Sequence, residues 1–359
     1  MKIKLIFFVS VIVLSGCKEN NNYINYFKLN NFEKQTKLFA TKIIESGINF
    51  PYTMEIFGKY FIIYDLKSVK QIKIIEIESH KLLNSFGCQG QGPGEFISPS
   101  VIFRDKKDNN AFWIFDMPAM RLSKFNIYKI LNDDFLPETI IVLPIEKCGY
   151  VNHLLMTPDE QFLGVGFFTK GRIAAYNMDG SFIRSIGKVP TYSGNDKFAM
   201  HHSHGFTGRI VYRNKSKEMF VATQLGTVIE KYNISGNLIA TFIGPDSFSP
   251  EYDIVQAGSG LTMSYNNKTR FGYLDICYNE NLDRLFLLYS GKHQFVKNRS
   301  NRAYIGNIIY VIDENGVVTT RYNLDEEIHH MCISDDGSLL IGLSEEAIYK
   351  FNLNDQHKG

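Results

Sequence analysis

Helical periodicity is almost missing from this 359-residue chain once its first residues are passed. Also missing are the short motifs of several chemistries. There is no Cys-x-x-Cys, so neither a thiol redox pair nor a zinc knuckle is written into the chain. There is no Gly-x-Ser-x-Gly, which removes the usual hydrolase elbow. The triple Gly90, Gly92, Gly94 lacks a following Gly-Lys-Ser/Thr and a helix start, so it is no phosphate cradle. An excess of one charge is absent as well: 39 Lys and Arg stand against 37 Asp and Glu, a net +2, which implies no global attraction to nucleic acid.

What is present begins at the N-terminus. Lys2 and Lys4 precede an apolar run, residues 5–14, that is too short to span a bilayer and reads as a secretory signal. The run ends in Leu14-Ser15-Gly16-Cys17, which resembles the bacterial lipoprotein box. That resemblance implies cleavage after residue 16, acylation of Cys17 and attachment to a membrane, with an outer-membrane location expected. Residues 17–34 then read as lipidated cysteine and tether, and residues 35–359 as one domain. Cys88, Cys148, Cys277 and Cys332 are widely spaced in a chain long enough to need no staple, so buried free thiols are expected.

Beyond the signal, short runs of Ile, Val, Phe, Tyr and Leu alternate with polar residues and are punctuated by turns, which argues all-β. The segments 173–187, 228–244 and 309–322 each read strand, Asp/Asn/Ser-Gly turn, strand; 73–87 keeps the strands but not the turn glycine. A second hairpin lies upstream of several of these, at 154–166, 210–222 and 331–343. Two hairpins make a four-stranded antiparallel unit, the blade of a propeller. First strands near Tyr52, Ser100, Val151, Gly208, Tyr273 and Ile328 give a six-bladed β-propeller. The sixth blade runs out near Asn352, and residues 35–44 are expected to close the ring as its missing outer strand.

The glycine-rich stretch Phe86-Gly-Cys-Gln-Gly-Gln-Gly-Pro-Gly-Glu-Phe96, followed by Phe112-Trp-Ile-Phe-Asp116 and Arg121-Leu-Ser-Lys-Phe125, resembles one unit of an NHL-type repeat. With the lipoprotein box, the chain is similar to the propeller lipoproteins abundant in the Bacteroidetes and described as TolB-like. The stretch itself reads as a fixed blade-to-blade hinge in which Glu95 accepts backbone N–H groups.

Connections sort by face. Turns around Asp159, Gly180, Gly236 and Gly337 are tight, whereas the long excursions 188–207, 245–272 and 290–304 all fall on the opposite face, over blades three to five. Long loops gathered on a rigid ring are where binding concentrates. The first carries Tyr192, Phe198, His201, His202, His204 and Phe206; the second Tyr252, Met263, Tyr265 and Arg270; the third Lys292, His293, Lys297, Arg299 and Arg302. Aromatics beside cations suit an anionic or sugar-like ligand, or a protein surface. Tyr265, Arg270, Lys292, His293, Arg299 and Arg302 are the candidate ligand-binding residues.

In an extended segment, His202 and His204 would project to one side and share a divalent metal ion, with Asp196 or His293 as third ligand. The bland alternative is a polar loop bonded to its own backbone. Asp335-Asp336-Gly337 lacks the downstream glutamate of a calcium loop and reads as a hairpin turn. Ser185-Ile-Gly-Lys188 sits where an outer strand ends, without the helix its catalytic namesake needs. Cys277 and Cys332 hold equivalent first-strand positions, near the ring interior. Two functions are open: a binding module with no catalysis and no cofactor, whose partner is an envelope protein or small molecule, or a metal-assisted hydrolase or lyase of the propeller lactonase kind.

Overall fold

A computed structural model describes residues 23–26, 32–44, 47–190, 199–258, 260–297 and 299–354. Six antiparallel sheets follow one another along the chain, each beginning with an inner strand: Pro51–Phe57, Pro99–Arg104, Gly149–Met156, Gly208–Arg213, Tyr273–Asn279 and His330–Ile333. This is a six-bladed propeller, in the register expected from the repeats.

Blades stack face to face, so a middle strand is covered on both sides and reads as a continuous apolar run instead of an alternating one. In blade two, Phe112 and Ile114 pack toward blade one, while Trp113 and Phe115 pack toward blade three. The core is accordingly divided into six clusters, each between two neighbouring blades. Fully buried side chains of this size contribute roughly 1.5–3 kcal/mol each.

The N-terminal chain departs from expectation in an instructive way. Residues 35–44 form two strands. Thr41–Ile44 pairs antiparallel with Ile348–Asn352 and closes blade six, whereas Lys34–Leu38 pairs parallel with Val318–Ile328 as a fifth strand of blade five. Tyr23–Tyr26, inside the stretch read as tether, likewise adds in parallel to Leu238–Ile243 of blade four. Each outer edge presents unpaired backbone groups, and an extended chain running past them satisfies those groups whatever its side chains. Cys17 and the signal lie outside the described residues, as do Tyr192, Asp196 and Phe198.

The glycine-rich stretch is a hinge, as expected. Gly90 N–H donates to Phe96 O and Phe96 N–H to Cys88 O, while Glu95 Oε2 accepts the Gly92 N–H at 2.9 Å. Arg121 donates to the carbonyls of Gln91, Gly92 and Glu95, and Phe96 is sealed between blades one and two. Gly94 has φ +76°, and an added Cβ would stand 2.8 Å from Phe135 O, so only glycine fits.

The aspartate ending the second strand is the device that aims the link entering its own blade. Asp116, fully buried, accepts the N–H groups of Ile97 and Ser98 at 2.9 and 2.8 Å; Asp65 does the same in blade one for Asn49 and Phe50. Asp116→Ala is expected to lower stability by about 3 kcal/mol, because two amides and the Arg121 guanidinium lose a buried acceptor. Urea unfolding measures this, and a loss below about 1 kcal/mol would show the aspartate to be dispensable.

Not all cysteines are buried thiols. All four are free, but Cys88 is exposed, because the hinge that carries it arcs over the surface between two blades.

Candidate functional site

The long connections over blades three to five do not hang free. The first contains the helix Ala199–Gly205, the second a hairpin of Asp253–Ala257 and Gly260–Ser264, and the third a short hairpin of Phe295–Val296 and Arg299–Ser300. Helix and ring are joined by Ser203, whose Oγ donates to Gly166 O at 2.9 Å and accepts the Phe168 N–H at 3.0 Å. Helix and hairpin are joined by His202, with Nδ1 2.7 Å from Tyr252 Oη, and by His201, with Nε2 3.0 Å from Leu261 O. Gly205 permits this approach: a Cβ there would meet the Tyr252 ring at 2.0 Å. An antiparallel bridge between Arg270 and His293 ties the second connection to the third. The three connections therefore build one cap.

The cap corrects the expected metal geometry. Residues 202 and 204 are on a helix, where a two-residue step turns the side chains to different sides. His202 faces Tyr252, while His204 packs at a tilt against Phe167 with ring centroids 3.9 Å apart. Burial, and then the neighbouring His201, pull the His204 pKa down to about 4. Among the described residues no group of three His, Cys, Asp or Glu side chains is arranged to hold a metal ion.

Of the four cations expected to meet a ligand, three are already held by carboxylates. Arg270 pairs with Asp246 at 2.9 Å, lies over the Phe248 ring at 4.2 Å and donates to Gly291 O. Lys292 pairs with Glu327, and Arg302 with Glu345 at 2.7 Å. Arg299 is exposed on the third hairpin, and His293 is exposed beside it. Tyr265 packs edge-on against Phe271 but keeps more than a third of its surface in solvent. Met200, Val255, Leu261, Val296 and Tyr304 likewise keep more than a third of their surface in solvent. Met200, Leu261 and Met263 with Tyr150 and Phe167 line a shallow groove of about 290 Å³ between cap and blade three.

A second hollow was not anticipated. The inner strands of all six blades surround an axial chamber of about 570 Å³, reached from the tight-turn face, opposite the cap. Glu55, Arg104 and Asp335 cross its mouth, with Arg104 3.1 Å from each carboxylate. Deeper, Asp275 is nearly fully buried. Its Oδ2 accepts the Met331 N–H at 3.0 Å and lies 2.7 Å from Nδ1 of His330, whose Nε2 is 3.0 Å from Met54 O. Both ring nitrogens thus face oxygen atoms. Burial alone would raise the Asp275 carboxyl; His330, Arg209 and the Met331 amide outweigh it and hold the group well below the usual range. Cys277 and Cys332 line the chamber as expected for inner-strand positions, and burial pushes both thiols well up.

A closed ring of six four-stranded blades, with one built-up face and one open axial mouth, defines a binding or structural propeller. Residues 30–336 match the family model described as "TolB-like 6-blade propeller-like", and the chain belongs to that family. No curated protein sequence matches it. Among solved structures it is similar to a member of the DUF4221 family from Bacteroides vulgatus, with 10% identity, 88% of this chain and 95% of that one covered, and TM-score 0.53. It is also similar to a protein described as exported from Bacteroides fragilis, with 14% identity, 91% and 98% coverage and TM-score 0.52. At these identities the likeness is one of fold.

Proposed function

We propose that this chain is a lipid-anchored, extracytoplasmic binding module that docks an envelope protein on its cap and does no chemistry there. The observation that carries the reading is the cap's surface. Three of its candidate cations are neutralised within the protein, while six large apolar side chains, from Met200 to Tyr304, are turned outward. Paired cations are poor receptors for a small anion, whereas exposed apolar and aromatic groups rimmed by polar ones are the composition of a protein interface. The groove beside Leu261 is a natural seat for a partner's apolar anchor.

A photo-crosslinking residue at Tyr265 in the full-length protein, in cells, should capture one discrete envelope partner. Met200→Glu with Leu261→Asp should weaken that capture about tenfold or more. Neutralising Arg270, Lys292 and Arg302 should matter less. Capture unchanged by the double substitution would sink the cap as the docking face.

A further inference from the structure

We propose that the axial chamber binds a small organic acid, its carboxylate received by Arg209 and His153 and its short apolar body lying against Met54, Leu154 and Ile276. This site is on the opposite face from the cap and does not depend on it.

The balance of used and unused charge points to an anion. Every carboxylate lining the chamber has a protein partner: Glu55 and Asp335 have Arg104, Asp275 has His330 and the Met331 amide, and Glu280 accepts from Asn214. The cations are not matched in the same way. The Arg209 side chain makes no hydrogen bond among the described residues, and its one ion-pair contact, Nε to Asp275 Oδ1, is long at 3.9 Å. Its side chain is 18% exposed, toward the chamber it lines. A guanidinium carries five donors and keeps its charge, so leaving it unmatched inside a ring is costly unless a ligand or water meets it. Lys106, at the rim, forms no ion pair among the described residues and is exposed.

His153 supplies a second donor. Its Nδ1 accepts the Ile210 N–H at 3.3 Å, which places the ring proton on Nε2. Burial, then Arg209, push its pKa well down, so the ring is neutral and donates from that nitrogen. A guanidinium and an imidazole N–H on adjacent blades, both lining the chamber with the Asp275–His330 contact, make a receptor for one carboxylate. The chamber volume is in the lower half of the range of small-molecule sites, and its apolar walls fit a few carbons beyond the acid group.

The test uses the full-length protein purified in detergent and a series of acids from acetate to hexanoate plus benzoate, with the matching primary amides as neutral controls and inorganic phosphate as an anion of different shape. Titration calorimetry and thermal shift should show saturable binding of the longer acids and none of the amides. Arg209→Gln should weaken binding at least tenfold, with Arg209→Lys recovering part of it. Lys106→Gln should weaken it two- to threefold, and Arg299→Gln on the cap should leave it unchanged. If Arg209→Gln fails to fold, His153→Phe, which keeps the ring volume, serves as the second variant and should also lose affinity. Absence of binding by every acid, equal binding of acid and amide, preference for phosphate, or full affinity in a folded Arg209→Gln or His153→Phe protein would overturn the assignment.

Discussion

Glu230→Ala is expected to destabilise the ring by about 3–5 kcal/mol. Glu230, on the third strand of blade four, receives the Nε–H of Arg172 from blade three at 2.6 Å and the Tyr232 hydroxyl at 2.5 Å. Arg172 and Glu230 are both essentially out of solvent, at 1% and 2% exposure. Truncating the acid leaves a buried guanidinium with only Thr223 Oγ1, at 3.2 Å, as a side-chain acceptor. The pair itself is not where the stability comes from, since a buried ion pair gains little over well-packed apolar residues of the same volume. Hence Arg172→Met combined with Glu230→Leu should recover most of the loss. Urea unfolding of both proteins decides it. A single variant within about 1 kcal/mol of the wild type would mean water reaches Arg172, and a double variant as weak as the single would mean shape, not charge, holds blades three and four together.

Pairs of this kind explain what could be read from the sequence and what could not. Strand and turn positions are local properties, so hairpins such as Ile173–Asn177 with Phe182–Ile186 were legible from β-branched runs around Asp179-Gly180. Closure was legible too, since a blade that ends at Asn352 must find an outer strand. The parallel additions of Tyr23–Tyr26 and Lys34–Leu38 were not, because a sheet edge recruits backbone and leaves no mark in the side chains. Whether the His-His-Ser-His segment is extended or helical was not legible, because the force that makes it a helix is tertiary: Ser203 bonds to the backbone of Gly166 and Phe168. The axial chamber escaped for another reason. Its deep residues, His153, Arg209, Asp275 and His330, come from four blades, each pair of neighbours tens of residues apart in sequence. The available signal was a single charged or imidazole residue inside an inner strand that is otherwise apolar, as in Leu274-Asp275-Ile276. That signal has meaning only once the blades are in register and those positions are seen to face one axis.

Replacing Cys17 by Ser should move the protein from the membrane fraction to the soluble fraction nearly completely, with the ring still folded. Acyl chains contribute roughly 0.8 kcal/mol per buried methylene; one chain holds a protein only marginally, whereas two or more make attachment stable. Losing an acyl-carrying Cys17 would therefore change partition by orders of magnitude, where the loss of a single surface contact would change it a few-fold. No helix among the described residues is long and apolar enough to cross a membrane and substitute for the anchor. The step from residue 17 to residue 23 spans no more than about 20 Å even when fully extended. Because Tyr23–Tyr26 pairs with the outer strand of blade four, an anchored ring is held with that blade's rim close to the lipid. Fractionation of cells expressing wild-type and Cys17→Ser protein, with circular dichroism of the released ring, tests the anchor. Undiminished membrane association of the variant would refute lipidation as the attachment, and release accompanied by unfolding would show that the N-terminal strands need the anchor to stay on their blades.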